Sequence, residues 1–240
     1  MSEVVRFVDA DALATDVAQR LLRTLAALQD GDRVPQVVLT GGTIADQLHR
    51  EVARQSPGSG VDWRRVEVWW GDERFVAADD PDRNALQAHR ALLDHVDVDP
   101  ALVHEMPAAE GGLSVDEAAD RYADEVRRRD AGSFDVVMLG MGGNGHVASL
   151  FPGRPQIDVD DRIAVAVTDS PKPPPVRISL TFGALNRTKQ VWFLVTGEQK
   201  AEAVRRALAP EGDVHEIPAR GITDSDATLW FLDEAAATGL

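Results

Sequence analysis

Seven short apolar, β-branched runs, separated by stretches with apolar residues every three or four positions, constrain this chain more than any other feature. The runs are VPQVVLTGG, RVEVWWGDE, FDVVMLGMGG, RIAVAVTD, VRISLTF, QVWFLVTGE and ATLWFLDE. Nearly continuous rather than alternating, they need cover on both sides, as strands of a sheet buried between two layers do. Between them, DALATDVAQRLLRTLAALQD, TIADQLHREVARQ, ALQAHRALLDHV, SVDEAADRYADEVRRRD and QKAEAVRRALA carry helical spacing. Such alternation predicts an α/β fold: a doubly wound, mostly parallel sheet with helices on both faces and right-handed crossovers. Residues 103–112 and 152–161 read as loops, and SPKPPP at Ser170 to Pro175 reads as a stiff, extended connector. No internal repeat or composition break divides the chain, so residues 1–240 are expected to form a single domain.

Charge and cysteine content remove whole classes of function. A formal net charge of −15 argues against a nucleic-acid partner, which would need clustered Lys and Arg. An anionic small molecule would need a local basic pocket instead. Cysteine is absent, which excludes disulfides, thiolate ligands and cysteine nucleophiles. No apolar run approaches the roughly 18 residues of a membrane helix, and charges enter the N-terminal MSEVVRFVDADALATD early. A cytoplasmic protein without membrane association, either a monomer or a weak homodimer, is expected.

In open α/β sheets ligands sit beyond the carboxyl ends of strands. Four such places carry chemistry. In LTGGTIADQL, Gly41, Gly42 and Thr43 follow a strand and open a helix whose amides can hold an anion. The spacing fits neither a Walker loop nor a dinucleotide fingerprint, so no nucleotide cofactor is expected. In VWWGDERFV, Arg74 offers a planar fork for phosphate or a developing oxyanion, with Asp72 or Glu73 to hold it; a solvated turn is the bland alternative.

The third place, FDVVMLGMGGNGHVASLFPG, is the most informative. After Gly140 the glycines at 142, 143 and 145 surround His146, and a helix-like HVASL follows. Glycines permit close backbone approach, and a helix start would favour the neutral imidazole that can accept a proton from water. His49, His89 and His95 lie in helical patterns, and His104 and His215 in connecting segments, none with a comparable glycine setting. The fourth place offers Arg177 at a strand start and Lys200 after the run ending at Thr196. No G-x-S-x-G elbow, H-E-x-x-H pair or EF-hand pattern occurs, so attack by water without an acyl-enzyme or a metal is expected.

GDER, LGMGGNGHVASLFPG, RISLT and LVTGEQK, in that order and over nearly the whole chain, resemble the 6-phosphogluconolactonase family. HVASLFPG is similar to the lactonase branch rather than to the related glucosamine-6-phosphate deaminases and isomerases. The resemblance implies the fold of those sugar-phosphate isomerases, no cofactor, and hydrolysis of 6-phospho-D-glucono-1,5-lactone to 6-phosphogluconate. His146 would be the base, Arg74 with the Gly142 to Gly145 amides would face the oxyanion, and Thr43, Arg177 and Lys200 would hold phosphate. Two departures from the family pattern matter. Gly-Gly-Thr-Ile-Ala replaces Gly-Gly-Ser-Thr-Pro, and Asn144 stands where an acidic residue usually precedes the histidine by two. Such a chain should be slower, or should recruit Asp72 or Glu73. A sugar-phosphate isomerase or deaminase, and a catalytically weak sugar-phosphate sensor, are the rival readings.

Overall fold

The computed structural model describes residues 2–129, 133–223 and 225–240. In chain order the elements are β1 (Ser2–Phe7), α1 (Ala10–Asp30), β2 (Gln36–Leu39), α2 (Thr43–Gln55), β3 (Glu67–Trp70), β4 (Asp72–Arg74), α3 (Asn84–Ala91), α4 (Val115–Arg128), β5 (Phe134–Gly140), β6 (Ala164–Val167), β7 (Arg177–Leu180), α5 (Phe182–Leu185), β8 (Thr188–Val195), α6 (Ala201–Leu208) and β9 (Ala227–Asp233), with short 3₁₀ turns among them.

Six strands form the main sheet in the order β1-β9-β8-β5-β2-β3, every neighbouring pair parallel. Alternate side chains of each strand divide between two cores. Val38, Trp69, Val137, Leu139 and Phe193 pack with α4 and α6 residues such as Tyr122 and Val204. Val37, Trp70, Met138, Trp192 and Leu194 pack with Leu21 of α1, Leu48 of α2 and Ala88 of α3. Both faces are therefore covered, the condition that near-continuous apolar strands impose. Helix ends are specified locally: Asp9 accepts from the Ala12 amide at 2.8 Å at the start of α1, and Ser114 with Glu117 forms a capping box on α4.

Three features differ from the sequence reading. RIAVAVTD and VRISLTF do not extend the main sheet. They form β6 and β7 of a separate antiparallel sheet ordered β4-β7-β6, and β4 is the GDER segment itself. Apolarity alone does not say which strand a strand pairs with, and Gly71 lets the chain pass directly from one sheet to the other. Strand β1, whose side chains are mostly exposed, lacks the apolar density that marks the others. Finally, HVASL forms no helix: residues 141–149 are turn and extended backbone, with an isolated bridge between Val147 and Leu150.

The chain runs from β2 outward to β3 at one edge, whereas β5 leads to β8 and β9 in the opposite direction. Between the carboxyl ends of β2 and β5 the connections diverge and leave a crevice.

Candidate active site

A cavity of about 220 Å³ opens in that crevice. Thr40, Gly41 and Gly42 line it from the end of β2, and Gly140, Met141, Gly142 and His146 from the end of β5. Asp72 and Arg74 enter from β4, Arg177 from β7, Lys200 from the turn before α6, Asn84 from the start of α3, and Lys172 with Pro173 from the proline-rich segment. A larger cavity of about 530 Å³ lies elsewhere, between α4, β5 and α5, and contains no histidine.

His146 is half-buried on a turn closed by the glycines. The Gly142 amide donates to the His146 carbonyl and the Gly145 amide to the Gly142 carbonyl, both at 2.9 Å. A Cβ on Gly142 would stand 2.0 Å from the imidazole ring, so only glycine leaves room for the histidine there. The ring also packs on Phe151, centroid to centroid 4.6 Å. Asn144 Oδ1 lies 2.5 Å from His146 Nδ1 and 3.4 Å from the His146 amide. The amide N–H can only donate, which identifies that Asn144 atom as the oxygen. Nδ1 therefore carries the ring hydrogen, and Nε2 keeps its lone pair. Burial, then the charges of Lys172, Lys200 and Arg177, lowers the His146 pKa to about 3. The neutral imidazole expected from sequence is present, but its cause is desolvation and three cations rather than a helix end.

Arg74, Lys200 and Arg177 donate mainly to neutral oxygens. Arg74 Nη1 donates to the Asp82 carbonyl at 2.8 Å and to Asn84 Oδ1, while its Nε is buried with no partner. Asn84 is fixed in turn by donating Nδ2 to the Asp72 carbonyl at 2.9 Å. Lys200 Nζ donates to the Met141 carbonyl at 2.8 Å. Arg177 donates to the carbonyls of Pro174, Lys172 and Pro173 and lies 4.0 Å from Asp72. Four cations thus face the cavity with Asp72 as the one carboxylate among its lining residues. Hydrogen bonds to carbonyls orient a cation without cancelling its charge, so the arrangement suits a multiply charged anion.

Other sequence expectations change at this point. Neither Asp72 nor Glu73 holds Arg74. Asp72 Oδ2 accepts from Ser149 Oγ at 2.7 Å, and Glu73 accepts from the amides of Arg74, Asn84 and Ala85 at the start of α3. Nor does either carboxylate hydrogen-bond to His146; among the described residues Asn144 is the partner of its ring nitrogen, and Phe151 packs against the ring. Thr43 starts α2 but does not line the cavity, whose wall stops at Gly42, and Gly145 faces Ile217 rather than the cavity. The Gly142 and Gly145 amides, engaged within the turn, are not available to an oxyanion. The first-turn amides of α2 have no side-chain cap, and Gly42, at φ 106°, adopts a conformation that favours glycine. Lys172 and Asn84 were not anticipated. Lys172 is one of only three lysines and sits among prolines that limit its backbone, a signal a connector reading overlooks. Among the described residues no group of three or more His, Asp or Glu side chains gathers closely enough to hold a metal ion, and no helix is long and apolar enough to cross a membrane.

Comparison with known proteins places the chain in a family. A family model described as glucosamine-6-phosphate isomerases/6-phosphogluconolactonase matches residues 8–230. A 6-phosphogluconolactonase of Streptomyces coelicolor is 42% identical over 241 residues, spanning 97% of this chain and 92% of its own. That of Mycobacterium tuberculosis is 42% identical over 246 residues, spanning 100% and 98%. The crystal structure of a 6-phosphogluconolactonase from Thermotoga maritima superposes with a TM-score of 0.84 at 25% identity, covering 98% of this chain and 100% of that one. A monomeric glucosamine-6-phosphate deaminase shares the fold, with a TM-score of 0.83 at 20% identity over 98% and 99% of the two chains. Matched over nearly its whole length by the family model and end to end by these relatives, the chain belongs to the glucosamine-6-phosphate isomerase/6-phosphogluconolactonase family.

Proposed function

We propose that this protein hydrolyses 6-phospho-D-glucono-1,5-lactone to 6-phosphogluconate, with His146 as general base. The observation that carries the reading is the imidazole whose Nδ1–H is tied to Asn144, leaving Nε2 as a proton acceptor in a cavity lined by four cations. Water attacks the lactone carbonyl carbon while Nε2 takes its proton. The tetrahedral oxyanion forms near Arg74, whose guanidinium lines the cavity. When the ring C–O bond breaks, the imidazolium returns the proton to the departing oxygen, and the histidine is regenerated. Lys200, Arg177 and Lys172 hold the phosphate, and the α2 amides beside Gly41 and Gly42 complete an anion-binding wall. Remote anchoring of this kind fixes the carbonyl relative to the base.

The relatives' names support the substrate, and the cation-rich cavity supports the phosphate. The reaction needs no cofactor. The net charge of −15 disfavours nucleic acid as a partner. Among the described residues the few large hydrophobics on the surface, Val4, Val8, Val34 and Leu240, fit a monomer or weak homodimer, and the cytoplasm is the location proposed. The test is a blank-corrected lactonase assay, because δ-lactones open unaided. A rate on the phospholactone well above the blank is expected, with no ammonia released from glucosamine-6-phosphate. Ammonia release without lactonase activity would identify a deaminase; tight 6-phosphogluconate binding with no rate above the blank would identify a sensor.

A further inference from the structure

Lys172 is an exposed lysine that lines the cavity. Its backbone is clamped: the amide donates to Ser170 Oγ at 3.2 Å, and the carbonyl accepts from Ser170 Oγ at 2.9 Å and from Arg177 Nη2 at 3.1 Å. Its ammonium has no hydrogen-bond or ion-pair partner among the described residues, yet it lines the cavity with His146, Arg74, Arg177 and Lys200. Partial burial and then the neighbouring Arg177 and Arg74 disfavour the charged form of Lys172, and a bound anion would relieve that. Burial and then the same ammonium lower the pKa of Lys200, and on His146 it is the largest charge effect, second only to burial.

We propose that Lys172 makes the enzyme selective for phosphorylated lactones by coupling occupancy of the phosphate position to proton transfer at His146. With the cavity empty, Lys172, Lys200 and Arg177 oppose a further positive charge on the imidazole. A bound phosphate dianion neutralises them, so the base strengthens only when the correct substrate is in place. Among the described residues no carboxylate pairs with Lys172 or Lys200; Asp72, with Glu73 and Asp82, offsets charge at Arg177 alone. Asp72 is engaged by Ser149 and Arg177; Glu198, on the turn over Gly143, is exposed; and Glu216, beside the Ile217 that backs Gly145, pairs with Arg206. Above neutral pH the imidazole is unprotonated with or without phosphate, so greater proton affinity speeds transfer from water without depleting the active form. Phosphate is not consumed: the proton passes from water to Nε2 and on to the ring oxygen. The inference rests on His146 acting as the base proposed above.

Titration of the His146 ring by NMR, with inorganic sulfate as the probe because it stays a dianion at the acid pH where the ring titrates, tests the coupling in the wild type and in Lys172→Met and Lys172→Arg. Sulfate is expected to raise the His146 pKa of the wild type by about one pH unit or more. Lys172→Met should titrate higher than the wild type without sulfate and respond less to it, whereas Lys172→Arg should keep the response. In parallel, phosphite should accelerate hydrolysis of unphosphorylated glucono-1,5-lactone by the wild type but not by Lys172→Met, and that variant should lose kcat on the phospholactone as well as gain KM. Identical titrations in wild type and Lys172→Met, a wild-type titration unmoved by sulfate, or a change in KM alone would overturn the coupling while leaving the lactonase reading intact. A wild type that fails to hydrolyse the phospholactone above the blank would defeat the lactonase reading instead, and the titrations would still decide whether Lys172 acts on His146.

Discussion

At the scale of single residues, the Asn144–His146 pair determines the chemistry. Asn144 orients the imidazole but adds no negative charge, and burial with three nearby cations holds the ring neutral. Replacing His146 with Ala should lower kcat by roughly 100- to 10,000-fold and change KM little, since the side chain acts on water rather than on the anchored sugar. Steady-state kinetics decide this, and an unchanged kcat would end the base assignment. Asn144→Asp places a carboxylate against Nδ1–H and so favours the imidazolium, which raises the His146 pKa from about 3. The acid limb of the kcat/KM profile should therefore move to higher pH, with activity at neutral pH unchanged or raised; a limb that stays in place would refute the electrostatic account.

Helix α3 acts on the site at the scale of an element. Glu73, whose pKa burial raises, accepts from the amides of Asn84 and Ala85, which sets where α3 begins and hence where the Asn84 side chain reaches Arg74. Gly41 leaves the space this requires, because a Cβ there would lie 1.8 Å from Asn84 Oδ1. Gly41→Ala should displace Asn84 and Arg74 and cost about 100-fold in kcat/KM while the circular dichroism spectrum is retained. Asn84→Ala should produce a loss of similar size; kinetics indifferent to both changes would mean that Arg74 is positioned otherwise. In α2, His49 is 3% exposed and has its pKa lowered by burial to about 4, with Nε2 unpartnered. The unfolded chain protonates this group near 6.5 and the native state only near 4. The native state is thus fully favoured above about pH 6.5 and loses up to about 3 kcal/mol as pH falls to 4. His146 adds to the same trend, its pKa being lowered too. Urea unfolding at pH 7 and pH 5 should show a smaller loss for His49→Leu than for the wild type.

For the whole molecule, the two cores share every central strand, and adjacent residues such as Trp69 and Trp70 belong to opposite ones. Neither face can be exposed without removing support from the other. We propose on this ground that the chain behaves as one domain. Tryptophan fluorescence and far-ultraviolet circular dichroism should then follow a single coincident urea transition; separated midpoints would divide the molecule into independently folding parts. The buried His104 joins the sheet to its cover in one place: it lies between Glu67 of β3 and Glu125 of α4 at 2.9 and 2.7 Å and stacks on Trp69.

What the sequence by itself determined was whatever depends on local pattern. Continuous apolar runs imposed a covered sheet, three- and four-residue spacing imposed the helices, and the glycines flanking His146 marked the turn on which it stands. Arg74, Arg177 and Lys200 were legible because each adjoins a strand end. Only the tertiary structure decided which strands leave the main sheet, because pairing depends on neighbours distant in sequence. It alone brought Lys172 across from the proline segment and Asn84 from the head of α3, and it turned Thr43, Gly145 and the acidic residues of GDER away from the roles that proximity in sequence suggested. A side chain's charge is written in the chain; the groups that compensate it, and so its pKa and its availability to a ligand, exist only once the chain has folded.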